Sequence, residues 1–241
     1  QVKFRDTRLV SFAGALAFIE MLRKDFAVSL VALDQPTVVP NTTGSRPVDK
    51  IAASLVSFVG GGVQPANRSK IGMFSDNAPI WSFLSKLDAK EDPFEARVAS
   101  AGHFLIEVFP ALALPSLEDD FAQRLRAPKY NPQNRKKFSL DDWRAVARVI
   151  QTIADEFGVL GLVDWARSMH ALTQPRKSDQ DRLDVALCAL IGLVWRAGPA
   201  SCSAMLGELS SGYMVTPVSI ATRPRLEQAA LRRGIPMRLL L

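Results

Sequence analysis

The chain has 241 residues, 48% of them hydrophobic, which is enough for one large domain or two small ones and too apolar for a disordered chain. A formal net charge of +6 suits a polyanionic partner without demanding one. Two cysteines, Cys188 and Cys202, and two histidines, His103 and His170, argue against a disulfide scaffold or a His-rich zinc site, and no apolar run is long enough to span a bilayer, so the expectation is a reduced, cytoplasmic protein.

From the N-terminus, Val2 to Val10 alternates weakly and predicts a strand. Ser11 is placed to cap an amphipathic helix over 12–23, whose apolar stripe is Phe12, Ala15, Leu16, Ile19 and Leu22. Ser29 to Leu33 is almost continuously apolar and stops at Asp34-Gln35-Pro36, the pattern of a strand buried on both faces. A helical run follows over 48–59, set between two polar, Gly- and Pro-bearing stretches at 40–47 and 60–70. Helices are expected over 80–87 and 93–101. A second buried strand follows over 103–109, closed by Pro110 and carrying Glu107 in its middle.

Further on, 117–125 predicts a short helix, and 126–138 (RAPKYNPQNRKKF) a basic, extended segment. Ser139 caps a helix reaching about Phe157, and another covers 161–172. Asp181 to Trp195 is the most apolar stretch, nearly free of polar residues from Val185 onward. A helix apolar all round is a core helix. Finally 208–215 reads as a strand and 223–233 as a helix. Helices alternating with buried strands predict an α/β domain.

Four acids stand out against this frame. Asp34 ends a buried strand, Glu107 lies inside one, and Asp181 and Asp184 open the core helix on one face. Each has an ordinary explanation. Asp34 suits a turn before proline, Glu107 a salt bridge to an arginine such as Arg97 or Arg68, and the two helix acids a cap. The alternative is that they converge on a divalent ion, because a buried unpaired carboxylate costs several kcal/mol.

The segments Ala32-Leu33-Asp34-Gln35-Pro36, Glu107-Val108-Phe109-Pro110 and Asp181-Arg182-Leu183-Asp184-Val185-Ala186-Leu187 resemble, in that order, a family of predicted RNase H-like nucleases, domain-of-unknown-function family 429. The likeness runs over about residues 11 to 215. Val185 stands where that family usually has alanine, and no acid-bearing G-x-D strand precedes Asp34. The resemblance implies an α/β, RNase H-like mixed sheet flanked by helices. It also implies a single domain over 1–241, with 37–103 and 111–178 as insertions around the core. Gln1 to Val10 would then be the third strand, and the central first strand would lie upstream of Gln1. It further implies that Asp34, Glu107 and Asp184 bind Mg²⁺ or Mn²⁺, with Asp181 beside them in the catalytic set, for hydrolysis of phosphodiester bonds.

Such chemistry needs cations for the substrate's phosphates. Arg46, Lys50, Arg68 and Lys70 in the polar loops are candidates, as are Lys129, Arg135, Lys136 and Lys137 in the basic segment, and Tyr130 is either a base-stacking ring or ordinary packing. Nucleic acid is the expected partner. A second reading is an RNase H-like binding or scaffold protein whose catalytic set has decayed. A sugar-kinase-like ATPase finds no support, since no Gly-rich loop leads into Lys-Ser/Thr.

Overall fold

Proline and serine decide where most of the helices begin. The structure, a computed structural model, describes residues 2–239; Gln1, with which the expected third strand begins, lies outside them. In chain order the elements are β1 (Val2–Lys3), α1 (Phe12–Arg23), β2 (Val28–Leu33), α2 (Pro47–Val56), α3 (Pro79–Leu87), α4 (Pro93–Val98), β3 (Gly102–Glu107) and α5 (Pro110–Leu117). Then come α6 (Leu140–Glu156), β4 (Val159–Leu160), α7 (Leu162–His170), α8 (Lys177–Ala197), β5 (Ser203–Glu208), β6 (Gly212–Pro217), α9 (Arg223–Arg233) and β7 (Met237–Leu239). Each of α2 to α5 opens on proline, whose fixed φ suits a first helical position that needs no N–H donor. Ser11 and Ser139 cap α1 and α6, accepting from the Gly14 and Asp142 amides at 3.2 Å each.

The sheets are small. β2 and β3 pair in parallel from Val28↔Gly102 to Leu33↔Glu107. β5 and β6 form an antiparallel hairpin, with β7 on the other side of β5. A parallel bridge between Val108 and Val215 links the two sets into a run β2-β3-β6-β5-β7. β1 and β4 form a separate two-residue parallel pair. The fold is therefore mixed α/β.

Helices cover both faces of this run. On one face, Leu30, Ala32, Ile106, Met205, Tyr213 and Val215 meet Cys188, Ile191 and Trp195 of α8. On the other, α2 and α9 cover β5 and β6 through Ile51, Leu55 and Leu226, and α1 and α3 cover β2 and β3. The outer side of α8, with Leu183, Leu187 and Leu190, packs a second core against α6 and α7 around the fully buried Trp143. No helix among the described residues is long and apolar enough to cross a membrane.

Several expectations need correcting. Only Val2 and Lys3 of the expected strand over 2–10 are in a strand; the stretch after them is polar and mostly exposed, with Asp6 paired to Arg182 at 2.7 Å. The helix expected over 117–125 instead begins at Pro110, ends at Leu117, and is followed by a 3-10 turn over Asp119–Ala122. Pro110 starts a helix as well as ending a strand. The strand expected over 208–215 starts on the last residue of β5, passes through a turn at 209–211 and continues as β6, with Gly207 and Gly212 at φ of +80° and +100° on either side of the turn. The core helix starts at Lys177, well before its apolar run, because Asp179 accepts a 2.8 Å bond from the Arg176 amide.

One close approach brings α8 onto β2. A Cβ at Gly192 would stand 3.2 Å from the Ala32 Cβ and 3.8 Å from Leu30 Cδ2. Gly192→Val would overpack this contact and is expected to cost about 1–3 kcal/mol, read as a lower urea midpoint at unchanged m-value.

Candidate functional site

The faces of β2 and β3 decide which acids meet. Side chains alternate along a strand, and Leu33 is the register partner of Glu107. Leu33 faces α1 and α3, so Glu107 points to that side, where α2 begins. Asp34, in the bend just beyond Leu33, lies near Asp184 and Cys188 of α8. On α8, Asp184, Cys188 and Gly192 recur every four residues and so share the stripe that faces β2. Asp34 and Asp184 are thus brought together, while Glu107 is turned away from them.

Glu107 is 1% exposed and is held by a buried network. Arg46, fully buried, donates from Nη2 to Glu107 Oε1 at 2.6 Å and from Nη1 to Oε2 at 2.8 Å. The same guanidinium donates to Asp49 Oδ1 from Nη2 at 2.9 Å and Nε at 3.1 Å. The Thr37 amide donates to Glu107 Oε2 at 2.9 Å, and the Thr37 hydroxyl bonds Glu91. Burial pushes the Glu107 carboxyl up while Arg46 pulls it down. Burial also opposes the charge on Arg46, but Glu107 and Asp49 outweigh it and raise its pKa. Glu107 is therefore an ion-pair partner, as its ordinary explanation held, with Arg46 in place of Arg97 or Arg68. Arg46, expected on the substrate, is spent inside the protein.

Asp34 is different. Its side chain keeps an exposed surface, and among the described residues no side chain donates a hydrogen bond to it. Burial of the carboxyl, then the charges of Asp184 and Glu107, raise its pKa from 3.8 to about 7 against the pull of Lys177. Half-buried Asp184 lies in the second turn of α8, too far in to be a cap. The Tyr130 hydroxyl donates to its Oδ1 at 2.7 Å and Gln180 Nε2 to its Oδ2 at 3.1 Å. Burial raises it from 3.8 to about 6 despite those two bonds and Lys177. The buried Cys188 thiol is raised by burial and then by Asp34 and Asp184. Asp181 is paired with Lys177 at 2.6 Å on the same helix.

The other expected substrate residues are scattered. Arg68 pairs with Asp76 and lies over the Trp81 ring at 5.4 Å. Lys70 is half-buried. Lys129 Nζ donates to the Gly60 carbonyl at 2.8 Å. The two polar loops bind each other: Asn41 Nδ2 donates to the Ala66 carbonyl at 2.9 Å and Asn67 Nδ2 to Gly44 at 2.7 Å. Their tie to the acids runs to the Glu107 side, through Asp49 Oδ2 and the Ala66 amide at 3.1 Å.

Among the described residues no group of three or more His, Cys, Asp or Glu side chains is arranged around one ion position. The pair Asp34 and Asp184 supplies oxygen donors of the kind that could hold a hard cation, since Mg²⁺ is commonly held by one or two carboxylates with the remaining positions filled by water or substrate oxygens. Sequence reasoning missed Gln180, Lys177, Thr37 and Glu91. Gln180, one turn before Asp184, carries an i, i+4 signal that was there to be read.

Two measurements follow. Arg46→Ala would leave two buried carboxylates without their cation, with amide donors remaining, and is expected to cost about 3–5 kcal/mol of stability in urea unfolding. The raised pKa values of Asp34 and Asp184 mean the folded chain binds protons more tightly than the unfolded one. Stability from these groups is therefore full below about pH 4 and falls as pH rises to about 7. Thermal unfolding from pH 4 to 8 should show Asp34→Asn gaining on the wild type as pH rises.

No curated protein and no solved structure shows significant similarity to the chain. A family model described as a protein of unknown function (DUF429) matches residues 5–205, and since this is most of the 241 residues, the chain belongs to that family.

Proposed function

We propose that this is an RNase H-like, metal-dependent nuclease that hydrolyses phosphodiester bonds at the Asp34–Asp184 pair. The observation that carries the reading is the placement of Asp34: a solvent-reaching carboxyl at the end of β2, next to the stripe of α8 that carries Asp184, with no side-chain hydrogen-bond donor among the described residues. A cation held between the two acids would relieve the repulsion and the burial cost together. Asp34 and Asp184 would hold Mg²⁺ or Mn²⁺, which when bound activates water and neutralises phosphate charge. Tyr130 and Gln180 fix the Asp184 carboxylate, as outer partners orient metal-binding groups. Lys177, close enough to lower both carboxyls, offsets their charge when no cation is present. The parallel β2–β3 pair, the antiparallel strands beside it and a long helix crossing them support the fold assignment.

A second reading has its own support. Both oxygens of Asp184 already accept hydrogen bonds and Glu107 is neutralised by Arg46, which suits a nucleic-acid binder whose catalytic set has decayed.

Asp34→Asn is the clean test, since no donor would face the new amide. In Asp184→Asn the new NH₂ group faces either the Gln180 Nε2 donor or the Tyr130 hydroxyl. With Mn²⁺ or Mg²⁺, wild type is expected to cleave a labelled oligonucleotide, and Asp34→Asn to lose about 10³-fold or more, as loss of several kcal/mol of transition-state stabilisation implies. Salt-sensitive binding without metal-dependent turnover by wild type would favour the binder. Equal cleavage by both proteins would remove Asp34 from the mechanism.

A further inference from the structure

Next to Asp184 lies a recess of about 140 Å³ whose lining includes Lys129, Tyr130, Asn134, Lys137, Phe138 and Gln180. Two of its walls, Tyr130 and Gln180, are the two donors to Asp184, so whatever sits there lies beside that carboxylate. The loop that forms it is fixed by its own bonds. The Lys129 amide donates to Asp142 Oδ2 at 2.7 Å, the Ser139 amide to the Lys129 carbonyl at 2.8 Å, and the Phe138 amide to the Asn134 carbonyl at 2.8 Å.

These bonds use the backbone and leave side chains over. Asn131 Oδ1 accepts from the Gln133 amide at 2.9 Å, but its Nδ2 finds no acceptor among the described residues. The Asn134 carboxamide and the Lys137 amine find no partner there either. The recess therefore offers two aromatic side chains, a proline, amide donors and acceptors, and two lysines, of which Lys129 is bonded to the Gly60 carbonyl and Lys137 is not. Tyr130 and Phe138, both only partly buried against the core, together with carboxamides are the groups that take the face and edge of a nucleobase. Its size is well below the roughly 300–1,000 Å³ of pockets that enclose a drug-sized ligand, so it takes one ring system and not a base pair. Arg135 and Lys136 are exposed on the same loop, positioned for phosphates on either side.

We infer that this recess receives a single unpaired nucleobase of the strand whose phosphate lies at Asp34 and Asp184, so that the substrate is single-stranded or locally unpaired. The inference rests on the nuclease reading. A base still stacked in a duplex cannot enter without leaving the helix, at a cost of a few kcal/mol.

The test is fluorescence anisotropy with Ca²⁺ in place of Mg²⁺ or Mn²⁺, a hard cation for the two carboxylates, with the strand verified intact after each reading so that binding is read without turnover. The probes are a labelled 12-nucleotide single strand, the same strand in duplex, and a single strand of abasic sites with the same number of phosphates. The expected result is single-strand binding at least tenfold tighter than duplex. Asn134→Ala should weaken the base-bearing strand about fivefold and leave the abasic strand unchanged, whereas Lys137→Ala should weaken both. Both positions are exposed on the loop, so neither change threatens the fold. Duplex binding as tight as single-strand binding would overturn the inference, as would an Asn134→Ala effect that is absent or equal for the base-bearing and abasic strands. Cleavage with Mn²⁺, scored in parallel on the same single strand, reports on the nuclease reading separately: base-dependent binding without cleavage defeats that reading and leaves the base recess standing.

Discussion

Everything at the candidate site depends on the pleat. In the parallel pair β2–β3 the register Leu33↔Glu107 is fixed, and successive side chains must point to opposite faces. Asp34 and Glu107, close along the strands, are thereby sent to different sides of the sheet. One meets a long apolar helix and another acid. The other meets a buried arginine. A slip of one residue would exchange the two environments and leave an uncompensated charge on each face.

The two faces handle burial of charge in different ways. On the α2 side Arg46 answers Glu107 and Asp49 with a planar fork of donors, the geometry in which a guanidinium excels and an ammonium does not. Nothing there is left over for a ligand. On the α8 side the hydrogen-bond donors to Asp184 are neutral, a phenol and an amide, and the nearby cation Lys177 is bonded to Asp181. Neutral donors orient a carboxylate without cancelling its charge. Asp34 thus lies beside a second acid without the guanidinium fork that answers Glu107, and that asymmetry is what singles it out as a candidate.

Much of this was legible in the chain itself, in places where local signals are strong. The strand ending at Leu33, the strand through Glu107 and the apolar helix ending at Ala197 all follow from apolar runs and their punctuation. Asp34 and Asp184 could be picked out because an acid at the edge of such a run is anomalous. The pairing of Glu107 with Arg46 could not be read, because the two are 61 residues apart and Arg46 sits in a stretch that looks like surface loop. The start of α8 was placed late because its first two turns are polar and amphipathic, and the apolar run dominates the pattern. Of the hairpin, β6 was expected and β5 was hidden, because burial on both sides removes the alternation that marks a half-exposed strand.

Arg46 has a further consequence, for the order in which the chain assembles. It precedes the first residue of α2, and its amide donates to Asp49 at 3.0 Å while its guanidinium reaches β3. A ten-residue helix is too short to persist by itself in water. The first turn of α2 buries a guanidinium and a carboxylate, which is tolerable only once Glu107 stands opposite them. Closing a loop of that length costs chain entropy before any contact repays it. The helix near the beginning of the chain is consequently completed together with a strand far along it, so that on a ribosome α2 would wait for β3 to emerge.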